Sequence, residues 1–100
     1  VRVVFLASAS RGLRWFRRYY ADVFPEGAKR SRVAFEAMKR VLVHNPQAGQ
    51  PIEGTSSRIW RLPRTPFAVI YRLRDDRVEV LAIYDQRSDS AVTAPRDHEG

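Results

Sequence analysis

The chain has 100 residues, 44% of them hydrophobic, and a formal net charge of +7. That is enough for one domain with a core and too little for a second. There is no Cys, which excludes disulfides, thiolate metal sites and a Cys nucleophile and suits a reducing cytoplasm.

The charge is uneven. Residues 1–50 carry ten Lys and Arg against three acids, Asp22, Glu26 and Glu36. Residues 51–100 carry eight Arg against eight acids, so the whole excess lies in the first half. A basic surface favours nucleic acid or an acidic protein partner. Arg far outnumbers Lys, and GC-rich coding explains much of that bias without any function.

Val1 to Ala7 is rich in β-branched residues and is expected to form a strand. It is apolar but short, without the long apolar stretch expected of a signal peptide, and far too short for a membrane span. Ser8 or Ser10 is placed to cap a following helix. Leu13, Phe16, Tyr20 and Val23 then recur at helical spacing, with Arg11, Arg14, Arg17 and Arg18 toward solvent or a partner. Pro25-Glu26-Gly27 breaks this helix and opens the next. The second helix is expected from about Ala28 to Val43, with Ala28, Phe35, Met38 and Leu42 buried and Arg32 and Lys39 flanking that stripe. His44-Asn45-Pro46 ends it, with Asn45 as a left-handed cap. The two helices should form an antiparallel hairpin.

Residues 45–57 read as loop. Three strands follow: Ser57 to Leu62, Phe67 to Arg74 and Arg77 to Asp85. The last two are joined by a tight Asp75-Asp76 turn, because Asp tolerates positive φ. On the third, Val78, Val80, Ala82 and Tyr84 are expected on one face, with Leu81 and Ile83 on the other. After Gln86 the chain turns polar. We expect a single domain over residues 1–87 and a flexible tail over 88–100. The order β-α-α-β-β-β indicates an α+β fold, a helix hairpin packed on one face of a small antiparallel sheet.

Three segments carry a resemblance. They are Asn45-Pro46-Gln47-Ala48-Gly49-Gln50-Pro51, then Arg61-Leu62-Pro63 with Phe67-Ala68-Val69-Ile70-Tyr71-Arg72, then Val78 to Ile83 with Asp85-Gln86-Arg87-Ser88-Asp89. Their order and spacing resemble the RelE/ParE toxins, also called plasmid-stabilisation proteins. The resemblance implies a cytoplasmic toxin neutralised by a cognate antitoxin in a toxin–antitoxin hetero-oligomer, with no membrane association. RelE-like members cut messenger RNA on the ribosome. ParE-like members poison DNA gyrase, are not nucleases, and pair with ParD-like antitoxins.

Cleaving RNA through the 2′-hydroxyl needs a base, an acid and positive charge on the phosphate. Arg61, Arg72 and Arg87 are the candidate catalytic cations, with Arg64 as a further source of charge. The acid or base is missing where the RelE-like pattern would place it. Ala68 stands where such enzymes carry an Arg on the central strand, and no Tyr follows the last strand. Tyr84 lies within that strand, His98 falls in the tail, and His44 fits a helix-end role better than catalysis. Two His without clustered carboxylates offer no metal site, and no glycine-rich phosphate loop is present. No metal or cofactor is therefore expected. These departures favour the ParE-like branch and a gyrase inhibitor, with the ribosome-dependent ribonuclease as the alternative. Partner contacts are expected at Trp60, Arg58, Arg61, Arg14 and Arg18. If Ile59 enters the core, strand alternation turns Trp60 outward as an aromatic anchor beside Arg.

Overall fold

The computed structural model describes residues 1–87. The segment Ser88 to Gly100, with His98 and the expected tail, lies outside the described residues. β1 (Arg2–Phe5) leads into α1 (Ser10–Arg18) and α2 (Ala28–His44). Four strands follow: β2 (Gln50–Pro51), β3 (Ser57–Arg61), β4 (Phe67–Arg74) and β5 (Arg77–Asp85). They form one sheet in the order β1-β5-β4-β3-β2. The fold is α+β, two helices on a five-stranded sheet. The sheet is mixed, because β1 runs parallel to β5 while the other pairings are antiparallel. The two-residue β2 lies in what the sequence suggested was loop. Its Pro51 is tolerated because β2 is an edge strand.

Asp75 and Asp76 have φ of 53° and 63°. Both central residues of the β4–β5 turn therefore take the positive φ that a two-residue hairpin requires.

The face pattern of β5 departs from simple alternation. Tyr71 pairs with Val80 and Ile70 with Ala82, which leaves Leu81 as an extra residue. This β-bulge inverts the alternation beyond it. Val78, Val80 and Ile83 are buried in the core facing the helices. Ala82 and Tyr84 lie opposite Ile70 and Ala68, on the other face. The expected single face for Val78, Val80, Ala82 and Tyr84 is thus split. Ser8 is tied to the same irregularity: its Oγ donates to the Leu81 carbonyl at 2.6 Å. It serves the bulge and does not cap α1, whose N-cap is Ala9 with no side-chain cap bond.

Trp60 is opposite Val69 and Arg58 opposite Tyr71, so both face the helices. Ile59 and Arg61 take the outer face. The register is the reverse of the one that would turn Trp60 outward. Trp60 is half-buried and packs against the core.

The core is aromatic. Phe16 meets Phe67 edge-on at 5.0 Å between centroids, Tyr20 at 5.4 Å and Phe35 at 5.3 Å. Phe35 also stacks on Phe5 at 5.8 Å. Met38, Leu42 and Phe67 are fully buried, each contributing about 1.5–3 kcal/mol through apolar burial. After Arg18 the chain widens into a π-helical turn, Tyr19–Val23, in which Tyr19 and Tyr20 are both buried. Val23, expected on the apolar stripe, is 58% exposed. At the end of α2, Asn45 has φ −143°, so it is no left-handed cap. His44 instead bonds through Nδ1 to the Arg40 carbonyl at 3.0 Å.

Candidate functional site

Two surfaces concentrate exposed basic side chains. The first lies along the helices. α1 packs mainly on β5 and α2 on β1, so the helix pair is splayed. Between them runs an open groove of about 430 Å³. Leu13, Phe16, Tyr20 and Phe35 form its apolar floor, and Arg17, Arg32 and Lys39 stand on its walls with Glu36. Lys39 is paired with Glu36 at 3.0 Å. Among the described residues, neither Arg17 nor Arg32 has an acidic partner. The sequence pointed to Arg14 and Arg18 on this helix. Both are exposed, but neither lines the groove, and the Arg18 guanidinium lies 5.3 Å from the Trp15 ring centroid.

The second surface is the outer face of the sheet. Arg61 and Tyr84 flank Ala68 there, one on each neighbouring strand. The Arg61 guanidinium donates from Nε to Gln86 Oε1 and from Nη1 to Gln50 Oε1, both at 3.2 Å. It is exposed and, among the described residues, has no carboxylate partner. Two amide oxygens therefore orient a cation without neutralising it. Burial raises the Tyr84 phenol above its ordinary pKa, with the Arg61 charge acting in the opposite direction. Tyr84 is a neutral phenol at neutral pH.

Further along the same face, Arg72 Nε donates to Glu79 Oε1 at 2.8 Å and Arg77 Nη2 to Glu79 Oε2 at 2.6 Å. Glu79 is buried. The Arg72 bond first, then that from Arg77, holds its pKa below the ordinary carboxylate value.

Arg87 lies elsewhere, beside α1. Its Nε and Nη2 grip Asp85 at 2.9 and 2.8 Å, and its Nη1 donates to the Tyr19 hydroxyl at 3.1 Å. Trp15 Nε1 donates to Asp85 from the α1 side at 3.4 Å. The bond to Asp85 drives the Arg87 pKa up, and the same bond lowers that of Asp85. The three candidate catalytic cations are thus not brought together. Arg72 and Arg87 are held by separate carboxylates, and of the three only Arg61 is without one among the described residues.

Arg58 acts inward. Its Nη1 donates to the carbonyls of Gln47 at 3.0 Å and Gly49 at 2.8 Å, pinning the segment after α2. Tyr71 pins the same segment. Its hydroxyl donates to the Pro46 carbonyl and accepts from the Gly49 N–H, both at 2.8 Å. Tyr71, Glu79, Asp85 and Trp15 were not singled out from the sequence. Apart from the near neighbours Arg77 of Glu79 and Arg87 of Asp85, their partners are 7 to 70 residues away, a distance that local spacing does not bridge.

Among the described residues there is no cluster of three His, Asp or Glu side chains able to hold a metal. No helix among them is long and apolar enough to cross a membrane.

A profile of the family described as "ParE toxin of type II toxin-antitoxin system, parDE" matches residues 3–90. A solved structure described as the chromosomal ParDE TA system from P. aeruginosa has the same fold, with a TM-score of 0.64. It is 24% identical, and the match covers 85% of this chain and 95% of that one. No curated protein sequence matches significantly.

Proposed function

Because the chain belongs to the ParE toxin family of type II toxin–antitoxin systems, we propose that it inhibits growth by binding DNA gyrase and stalling its cycle with the DNA broken. A cognate ParD-like antitoxin neutralises it in a hetero-oligomer in the cytoplasm, and residues 1–87 act as one toxin domain.

The observation that carries an inhibitor over a ribonuclease is the dispersal of the cations. Stabilising a phosphate in flight requires charge converging on one point. Arg72 and Arg87 are each tied to a carboxylate, on different faces of the sheet. Ala68, at the position where a RelE-like enzyme would carry an Arg, supplies no charge.

Of the expected contact residues, Arg14, Arg18 and Arg61 are exposed and support partner binding. Arg61, oriented but not neutralised, is the side chain we assign to the target. Arg58 and Trp60 are half-buried in internal contacts, and their part in binding is to shape the surface around β3.

The test is a supercoiling and cleavage assay with purified toxin and gyrase. Inhibition or a trapped cleavage complex is expected. Normal supercoiling at saturating toxin, together with cuts in translated messages, would replace this reading with the ribonuclease.

A further inference from the structure

Resting on the inhibitor reading, we propose that the outer face of the sheet binds the phosphate backbone of duplex DNA, the polymer that gyrase holds. Strand register gathers cations at both ends of this face. At the hairpin end Arg2, Arg77 and Arg74 stand in one row across β1, β5 and β4. Arg72 follows in the next row on the same face, paired across to Glu79. At the other end Arg61 lies opposite Ala68.

The charge on this face is not cancelled from within. Both oxygens of Glu79 are taken up by Arg72 and Arg77, two cations on one anion. Arg2, Arg61 and Arg74 are exposed and, among the described residues, have no acidic partner. Arg61 uses two of its N–H groups on Gln86 and Gln50. A guanidinium has five, so three remain for a ligand. Arg suits such a ligand because its planar fork matches a phosphate bidentately.

The spacing selects a polymer. Arg74 is six residues along β4 from Ala68, so the two ends lie roughly 20 Å apart at about 3.4 Å per residue. A nucleotide or a free phosphate reaches only one of them. A duplex reaches both, since its major groove is about 12 Å wide between phosphate-lined rims. Between the ends the row of Ala82, Ile70 and Ile59 is neutral and offers no group to read a base edge. Binding is therefore independent of sequence.

Other occupants fit less well. Single-stranded nucleic acid is held by aromatic side chains on which bases stack, and on these rows the one aromatic ring is that of Tyr84, which is half-buried. The same lack of a protruding aromatic anchor disfavours a protein partner. A second copy of this face would bring like charge against like.

The experiment measures fluorescence anisotropy of two labelled duplexes of about 20 base pairs and unrelated sequence, titrated with the full-length chain across a salt series. Equal affinity for both is expected. Four phosphate contacts should give a slope of log affinity against log salt of roughly −3 to −4. Arg61→Gln/Arg74→Gln, one exposed Arg from each end, should weaken binding at least tenfold and make the slope shallower by about two. Lys29→Gln/Arg40→Gln removes the same charge from exposed positions on α2 and should stay within threefold of wild type. Equal losses in the two variants would reduce the binding to attraction by net charge and overturn the proposal. So would tighter binding of the single strand, or no binding at about 50 mM salt. If Arg61→Gln/Arg74→Gln loses DNA-free gyrase as strongly as it loses duplex, the face meets protein and the proposal also falls. Failure of the gyrase reading is told apart by supercoiling: duplex bound as expected with supercoiling normal removes the inhibitor and leaves the DNA site. Supercoiling blocked with no duplex bound does the reverse.

Discussion

Gly12 lies against the carbonyl of Ile83 so closely that a Cβ at this position would overlap its oxygen. This approach lets α1 rest directly on β5. A Gly inside a helix costs about 1 kcal/mol relative to Ala, so Gly12→Ala should stabilise α1 as an isolated helix. In the folded chain the methyl group must push α1 off β5. Backbone offers no rotamer escape, and overpacking of this kind costs about 1–3 kcal/mol. We expect a net loss of stability, read as a lower urea midpoint. Arg14→Ala on the same helix should change stability by no more than about 0.5 kcal/mol. A Gly12→Ala protein as stable as wild type would show that the helix and sheet are not held at this distance.

Tyr71 and Gly49 are interdependent in the same way. The Tyr71 hydroxyl bridges the Pro46 carbonyl and the Gly49 N–H, and a Cβ on Gly49 would lie 2.6 Å from that oxygen. Tyr71→Phe should leave the buried Gly49 N–H without a partner, at about 1–3 kcal/mol. Hydrogen exchange should accelerate over residues 46–50 while the β4–β5 pairing stays protected. Equal acceleration across the sheet would mean that Tyr71 matters as core and not as a loop anchor.

The β4 and β5 boundaries and the Asp75-Asp76 turn were legible in the sequence because they are local, with alternation and turn chemistry falling inside a few residues. Arg32 and Lys39 were likewise read at the edge of the buried α2 stripe, where the groove rim now places them. What was not legible depends on partners distant in the chain. The bulge at Leu81 is a property of pairing with β4, and its effect on Tyr84 has no trace in β5's own pattern. The facing of Trp60 stayed open for a related reason. Either of two adjacent apolar residues, Ile59 or Trp60, could have entered the core, and only the register against Val69 decides between them. Ser8 next to a helix start looks like a cap, yet its hydroxyl is drawn to a carbonyl 73 residues away.

Acid should unfold the protein through its two depressed carboxylates. Arg87 lowers the Asp85 pKa, and Arg72 with Arg77 lowers that of Glu79. A carboxyl whose pKa falls on folding contributes its full stabilisation above its unfolded value, about 4. That contribution is lost as pH falls through the folded value. Stability should therefore be level from pH 7 to about 5 and decline steadily below about 4. Asp85→Asn should flatten that decline and lower the melting temperature at pH 7. An unchanged acid limb in this variant would mean that the Asp85–Arg87 pair contributes nothing to folding.

Arg61 separates the two surfaces. Gln50 and Gln86 orient its guanidinium on the outer face, whereas the groove lies between the helices on the opposite side of the sheet. If the outer face meets the target and not the antitoxin, toxicity and antitoxin binding are separable by mutation. Arg61→Glu should abolish growth inhibition on induced expression and gyrase inhibition in vitro. Its fold should survive with a change within about 0.5 kcal/mol, since the side chain is exposed and forms no ion pair among the described residues. Its affinity for the antitoxin should stay within twofold of wild type. Loss of both activities in Arg61→Glu would mean that the partners share one surface. Full toxicity in that variant would move the target off the sheet face.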